Sequence, residues 1–135
     1  MTRFAAALIV LAVSACAPER VSCLLDSQRP MALVELFFGR DIPGREPLTD
    51  REWSDFAASV IAKEFPDGFT VTDGDGEWRD PATQRVTHER SKILIVAAPK
   101  SFGLASRVFR VREAYRRMYR QTSVGALSYD ACGEF

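Results

Sequence analysis

The chain is short of the side chains that build metal centres and neutral-pH acid–base sites: it holds one histidine, His88, and three cysteines, Cys16, Cys23 and Cys132. So few donors, so widely spread, cannot furnish a zinc or iron–sulfur ligand set. No metal and no other cofactor is expected. A dominant charge is missing as well, because Lys plus Arg and Asp plus Glu both number 18. A balanced chain sets up no long-range field for a polyanion, so nucleic acid is not expected as a partner. No activated nucleophile and no paired carboxylate dyad stands out, so no catalytic residue is assigned.

What is present begins at the N-terminus. Arg3 precedes an apolar run, Phe4 to Val13, then the small residues Ser14 and Ala15, then Cys16. That order is the n-region, h-region and cleavage site of a signal peptide. The run is about half of the ~20 residues that span a bilayer. Val13-Ser14-Ala15-Cys16 resembles the bacterial lipobox, in which the cysteine takes lipid and becomes the mature N-terminus. The expected organisation is a signal peptide at 1–15, a lipidated tether at 16–30 and one α+β domain at 31–135. The expected location is the periplasmic side of a bacterial cell envelope, anchored through Cys16; the alternative is ordinary secretion. Removing residues 1–15 takes away Arg3 alone, leaving a formal charge of −1.

Along the domain, the apolar residues of Met31 to Gly39 fall on both faces of a strand. Arg40 to Leu48, with Pro43, Gly44 and Pro47, reads as a loop. Thr49-Asp50-Arg51-Glu52 is a capping box, and Trp53, Phe56, Ala57, Val60 and Ile61 follow at helical spacing until Pro66 and Gly68. Trp53 is expected to anchor the core. Phe69 to Thr72 opens a second strand, interrupted by Asp73-Gly74-Asp75-Gly76 and resuming through Arg79, and Arg85 to Ala97 forms its hairpin partner. Ser101 to Gln121 is a second helix, with Leu104, Val108, Val111, Tyr115 and Met118 on one stripe. Val124 to Ala131 is the last strand.

The order β-α-β-β-α-β predicts a ferredoxin-like fold, a four-stranded antiparallel sheet with two helices on one face. In that topology the first and last strands are antiparallel neighbours. Cys23 precedes the one and Cys132 follows the other, and an exported domain is free to oxidise them, so a Cys23–Cys132 disulfide is expected.

Phe37-Phe38-Gly39, Trp53, the stretch from Phe65-Pro66-Asp67-Gly68 to Val71, Asp73-Gly74 to Trp78-Arg79, and Glu89-Arg90-Ser91-Lys92 together resemble a bacterial family known as domain of unknown function 3574. The resemblance runs from about 31 to 132. It implies a single envelope domain and supplies no activity and no catalytic residues.

Two constellations carry chemistry. Asp73, Asp75 and Glu77 alternate like the start of a calcium loop, but Trp78 stands where its glycine belongs and Gln84 where its bidentate Glu belongs. A glycine-permitted bulge or turn in the hairpin is the preferred reading. Trp78, Arg79, His88, Arg90 and Lys92 form the candidate contacts for a small anionic ligand or an enzyme's substrate, with alternation placing His88, Arg90 and Lys92 on one face. Cross-strand pairing with Glu is the commoner fate of such a hairpin. The arginines of the second helix are set against the acids of the first in the same way, as salt bridges. The leading functional expectation is a non-enzymatic lipoprotein that binds itself or an envelope partner, because the first and third strands are apolar on both faces while helices cover only one.

Overall fold

The structure, a computed structural model, describes residues 22–79 and 83–135, without the side chain of Trp78. Residues 1–21, on which the expected signal peptide and lipidated Cys16 fall, and residues 80–82 lie outside the described residues. Strands β1 (Arg29–Gly39), β2 (Thr70–Arg79), β3 (Val86–Pro99) and β4 (Gly125–Gly133) form one antiparallel sheet in the order β2-β3-β1-β4. Helix α1 (Asp50–Phe56) runs through a π-helical turn (Ala57–Ile61) into α2 (Ala62–Glu64), and α3 (Leu104–Tyr119) returns before β4. This is the ferredoxin-like order expected from the sequence.

Each boundary has a local cause. The Thr49 hydroxyl accepts from the Glu52 backbone N–H at 3.2 Å, and the Glu52 carboxylate accepts from the Thr49 N–H at 2.9 Å, so the capping box forms in full. The bond from the Thr49 backbone N–H, followed by those that the Thr49 hydroxyl and Arg45 donate to the same carboxylate, lowers the Glu52 pKa to about 2. At the far end of α3, Arg120 adopts a left-handed conformation, φ 52°, and its N–H closes on the Arg116 carbonyl. Strand β1 starts two residues earlier than its apolar pattern suggests. Arg29 and Pro30 are drawn into the ladder opposite Gly133 and Cys132 of β4, beside the Cys23–Cys132 disulfide, whose Cα atoms are 5.6 Å apart.

The core lies on the helix side of the sheet. Val34, Leu36 and Phe38 of β1 and Leu94, Val96 and Ala98 of β3 meet Trp53, Phe56, Ile61, Val111 and Tyr115. Phe38 sits edge-on to Trp53 and Tyr115, with ring centroids 5.2 and 4.8 Å away, so Trp53 is the core anchor its position in the helix suggests. The Tyr115 hydroxyl, carried into this cluster, donates to the Gly39 carbonyl at 2.7 Å. Met118 departs from the expected stripe and is exposed. Tyr119 packs against the core in its place, with its ring 4.7 Å from that of Tyr115.

Strand β2 corrects a second expectation. It is continuous, and its register to β3 runs one-to-one from Thr70↔Ile95 to Arg79↔Val86, so Asp73-Gly74-Asp75-Gly76 makes neither bulge nor turn. The glycines serve space instead. A Cβ at Gly74 would stand 2.8 Å from Ile93 Cδ1 and 3.0 Å from Ser91 Oγ.

Candidate functional site

The hairpin brings the sequence-predicted cations into register with acids. Lys92 faces Asp73, Arg90 faces Asp75 and His88 faces Glu77 across neighbouring strands. Because directly paired residues project from the same side, the acids that resemble a calcium loop and the cations that resemble an anion site lie side by side. His88 Nδ1 is 3.4 Å from Glu77 at the exposed end. Arg79 continues the same side opposite Val86, whereas Trp78 pairs with Thr87 in the register. The five candidates therefore do not converge on one pocket, and two of them, His88 and Lys92, lie against carboxylates of β2. Among the described residues no group of three His, Cys, Asp or Glu side chains is placed to hold a metal ion.

Lys92 is the end of this ladder that reaches the core. Its ammonium lies 2.6 Å from Asp73 and 2.9 Å from Asp50, the first residue of α1. Burial pulls the lysine pKa down, but hydrogen bonds to Asp73 and Asp50 outweigh that and leave it above its ordinary value. Arg40, buried at the end of β1, completes the cluster. It is 3.3 Å from Asp50 and donates from Nε to the Leu48 carbonyl at 2.8 Å. These groups bolt β1, β2, β3 and α1 together, so Lys92 is a structural cation and unsuited to an incoming ligand. The sequence signalled Lys92 as a charge on a strand and left Arg40 inside a loop.

The opposite, open side of the sheet is a different surface. Leu33, Glu35 and Phe37 of β1 are flanked in register by Ala97, Ile95 and Ile93 of β3 and by Tyr129, Leu127 and Gly125 of β4. Leu33, Phe37, Ile93 and Ile95 are half-buried, and Leu127 and Tyr129 are exposed, with none of the described helices above them. Both faces of β1 are apolar, as its sequence suggests: Val34, Leu36 and Phe38 go inward, Leu33 and Phe37 outward.

One end of this face sinks into a bowl of about 620 Å³, bounded by Phe37, Gly39, Gly76, Gly125, Glu89 and Gln121 among others. Its depth comes from the glycines, since a side chain at Gly39 would run into the Glu89 carboxylate. Burial, with a smaller contribution from Asp41, pushes the Glu89 pKa up. No hydrogen bond or ion pair to the Glu89 carboxylate is present among the described residues. In the sequence Glu89 stands within the Glu89-Arg90-Ser91-Lys92 stretch without a site role, and the ladder turns it to the side opposite His88 and Arg90.

A family model covers residues 34–135. The chain belongs to the family described as protein of unknown function DUF3574. No curated protein matched the chain. Among solved structures, this DUF3574 domain is similar to a phage SAM lyase in complex with S-methyl-5′-thioadenosine, with a TM-score of 0.59 and 14% identity over 84% of this chain and 87% of the other. It is likewise similar to the phage SAM lyase in the apo state, with a TM-score of 0.58 and 15% identity over 84% and 86%. At these identities the likeness is one of fold.

Proposed function

We propose that this chain is an exported envelope lipoprotein, anchored through lipid on Cys16, whose DUF3574 domain is a binding module that pairs with a second copy through its open sheet face. The observation that carries the reading is the apolar field of Leu33, Phe37, Ile93, Ile95, Leu127 and Tyr129, which none of the described elements covers. At strand spacings of about 4.8 Å and about 3.3 Å per residue, the sheet offers a footprint of roughly 35 by 19 Å. That is close to the roughly 800 Å² each partner contributes to a standard interface.

Charge placement favours a second copy. Arg29 stands on the open side at one end of β1, opposite Gly133, and Glu89 stands on that side at the other end. Two sheets stacked with their β1 strands antiparallel bring Arg29 of each over the Glu89 end of the other. Glu35 is the charge in the middle of the field, and this stacking sets it over its own copy, so its desolvation opposes association. The tether fits the same picture. Seven residue steps from Cys16 to Cys23 reach at most about 25 Å, which holds the domain near the membrane surface.

A photoactivatable residue at position 33 of the membrane-tethered protein tests this reading. The expected product has twice the protomer mass. Cross-links only to other envelope proteins would replace self-pairing with a different partner.

A second reading, a small-molecule site, has its own support in the Glu89 bowl and in the like-folded phage lyase that was solved with S-methyl-5′-thioadenosine. Titrating the chain with that nucleoside distinguishes the readings. Saturable binding that Glu89→Gln weakens would favour the small-molecule site and place it on the open face rather than among the hairpin cations.

A further inference from the structure

A second concavity lies on the helix side, away from the open face, and is independent of the self-pairing reading. Strand β4 is the sheet edge, and α3 leans inward from it, sending Leu104, Val111 and Tyr115 into the core over the central strands. Between α3 and β4 the floor carries small side chains, Ala32, Ala126 and Ser128 from the sheet and Ala105 from the helix, with Leu127 at the strand edge. The floor side chains are too small to fill the gap. The result is an open groove of about 800 Å³, with Val34 and Val108 in its wall and Phe102 and Phe109 exposed at its rim.

The two ends of the groove differ. Lys100 closes one, and its ammonium is already 2.5 Å from Asp130. Arg112 closes the other. Its Nε donates to the Val124 carbonyl at 3.0 Å, which fixes the guanidinium at the mouth, and it forms no ion pair among the described residues. A guanidinium has five donors in a planar fork that matches a carboxylate. From Leu104 to Arg112 the helix rises about 12 Å, so an extended aliphatic chain of medium length can lie between the rim aromatics and end at Arg112.

We infer that the α3–β4 groove binds a fatty acid, with its acyl chain over Ala105, Val108 and Ala126 and its carboxylate on Arg112. Apolar lining with one convergent cation is the composition such an amphiphile requires. The groove's apolar floor excludes a short polar anion, and Arg112 disfavours a cationic amphiphile of the same length.

The test uses residues 16–135 with Cys16→Ser, exported behind a signal peptide of the ordinary secretory kind, so that neither detergent nor the protein's own lipid competes. Calorimetric titration with decanoate should show saturable binding at one site. Ala105→Trp, on the exposed surface of α3, should fill the groove and weaken decanoate at least tenfold while the far-UV spectrum stays unchanged. Arg112→Gln should weaken decanoate about tenfold and leave 1-decanol unaffected. Unsaturable uptake, or binding indifferent to Ala105→Trp, would overturn the assignment. Equal loss of decanoate and decanol in Arg112→Gln would remove the carboxylate from Arg112. Loss of self-association in Ala105→Trp without ligand would make the groove a protein contact instead.

Discussion

The Lys92 ammonium stands 2.6 Å from the Asp73 carboxylate, with 9% of the lysine side chain exposed and 62% of the aspartate. The lysine is thus the desolvated partner, and the aspartates keep most of their water. Lys92→Met should cost about 2 kcal/mol, short of the roughly 3–5 kcal/mol for breaking a pair in which both charges are buried. Its pH dependence has two arms. The Lys92 pKa is raised above 10.5, so its contribution is full below that value and fades as pH climbs through the folded-state pKa. Asp50, lowered from 3.8 chiefly by its hydrogen bond to Lys92, contributes above that value and fades as pH falls. Denaturant titrations should therefore show the gap between the original protein and Lys92→Met widest at neutral pH and narrower at both extremes.

Glu89 has the opposite sign. Its pKa is raised by burial, so the folded state holds its proton more tightly than the unfolded chain and loses stability as pH rises through that window. Glu89→Gln should raise the melting temperature at pH 7 by a small amount, and the gain should vanish in acid, below the ordinary glutamate value of 4.5. A variant less stable at pH 7 would show that the carboxylate is held by a favourable partner.

The Cys23–Cys132 bond closes a loop of 109 residues. By the chain-entropy relation such a crosslink contributes roughly 4 to 5 kcal/mol. Replacing both cysteines with serine should lower the unfolding free energy by about that amount, read from denaturation midpoints. Thiol labelling of the denatured, unreduced protein should find neither cysteine free.

Cys16 should carry lipid. Intact-mass measurement of protein extracted from membranes should give residues 16–135 plus a diacylglyceryl-type adduct. An unmodified Cys16 with residues 1–15 removed would make the protein a soluble secreted one.

Much of the fold was legible because each signal was local and agreed with its neighbours. The capping box at Thr49 forms as written, the β-α-β-β-α-β order emerges from alternating periods, and strand order brought Cys23 to Cys132 without any contact being known. Signals that depend on register were hidden. Gly74 and Gly76 read as breakers on local propensity, yet they stand in a regular ladder because Ile93 and Ser91 press on the space above Gly74. Lys92 read as a surface charge, and only the pairing of β2 with β3 and the arrival of α1 show it buried between two aspartates. Arg40 read as part of a loop and Glu89 as one residue of the stretch that carries the family resemblance, because the role of each depends on groups that only the folded sheet and α1 bring against it.

Self-pairing through the open face is tested most directly by sedimentation of the purified domain with two substitutions on that face. Phe37 is half-buried on the open side, so Phe37→Glu should leave the fold intact while placing an unpaired charge in the contact, which costs several kcal/mol. Glu35→Gln removes a charge that association desolvates and should tighten the dimer. The account predicts a dimer at micromolar concentration, a monomer for Phe37→Glu and a more persistent dimer for Glu35→Gln. An unmodified domain that sediments as a monomer at high micromolar concentration, or a folded Phe37→Glu protein that stays dimeric, would contradict it.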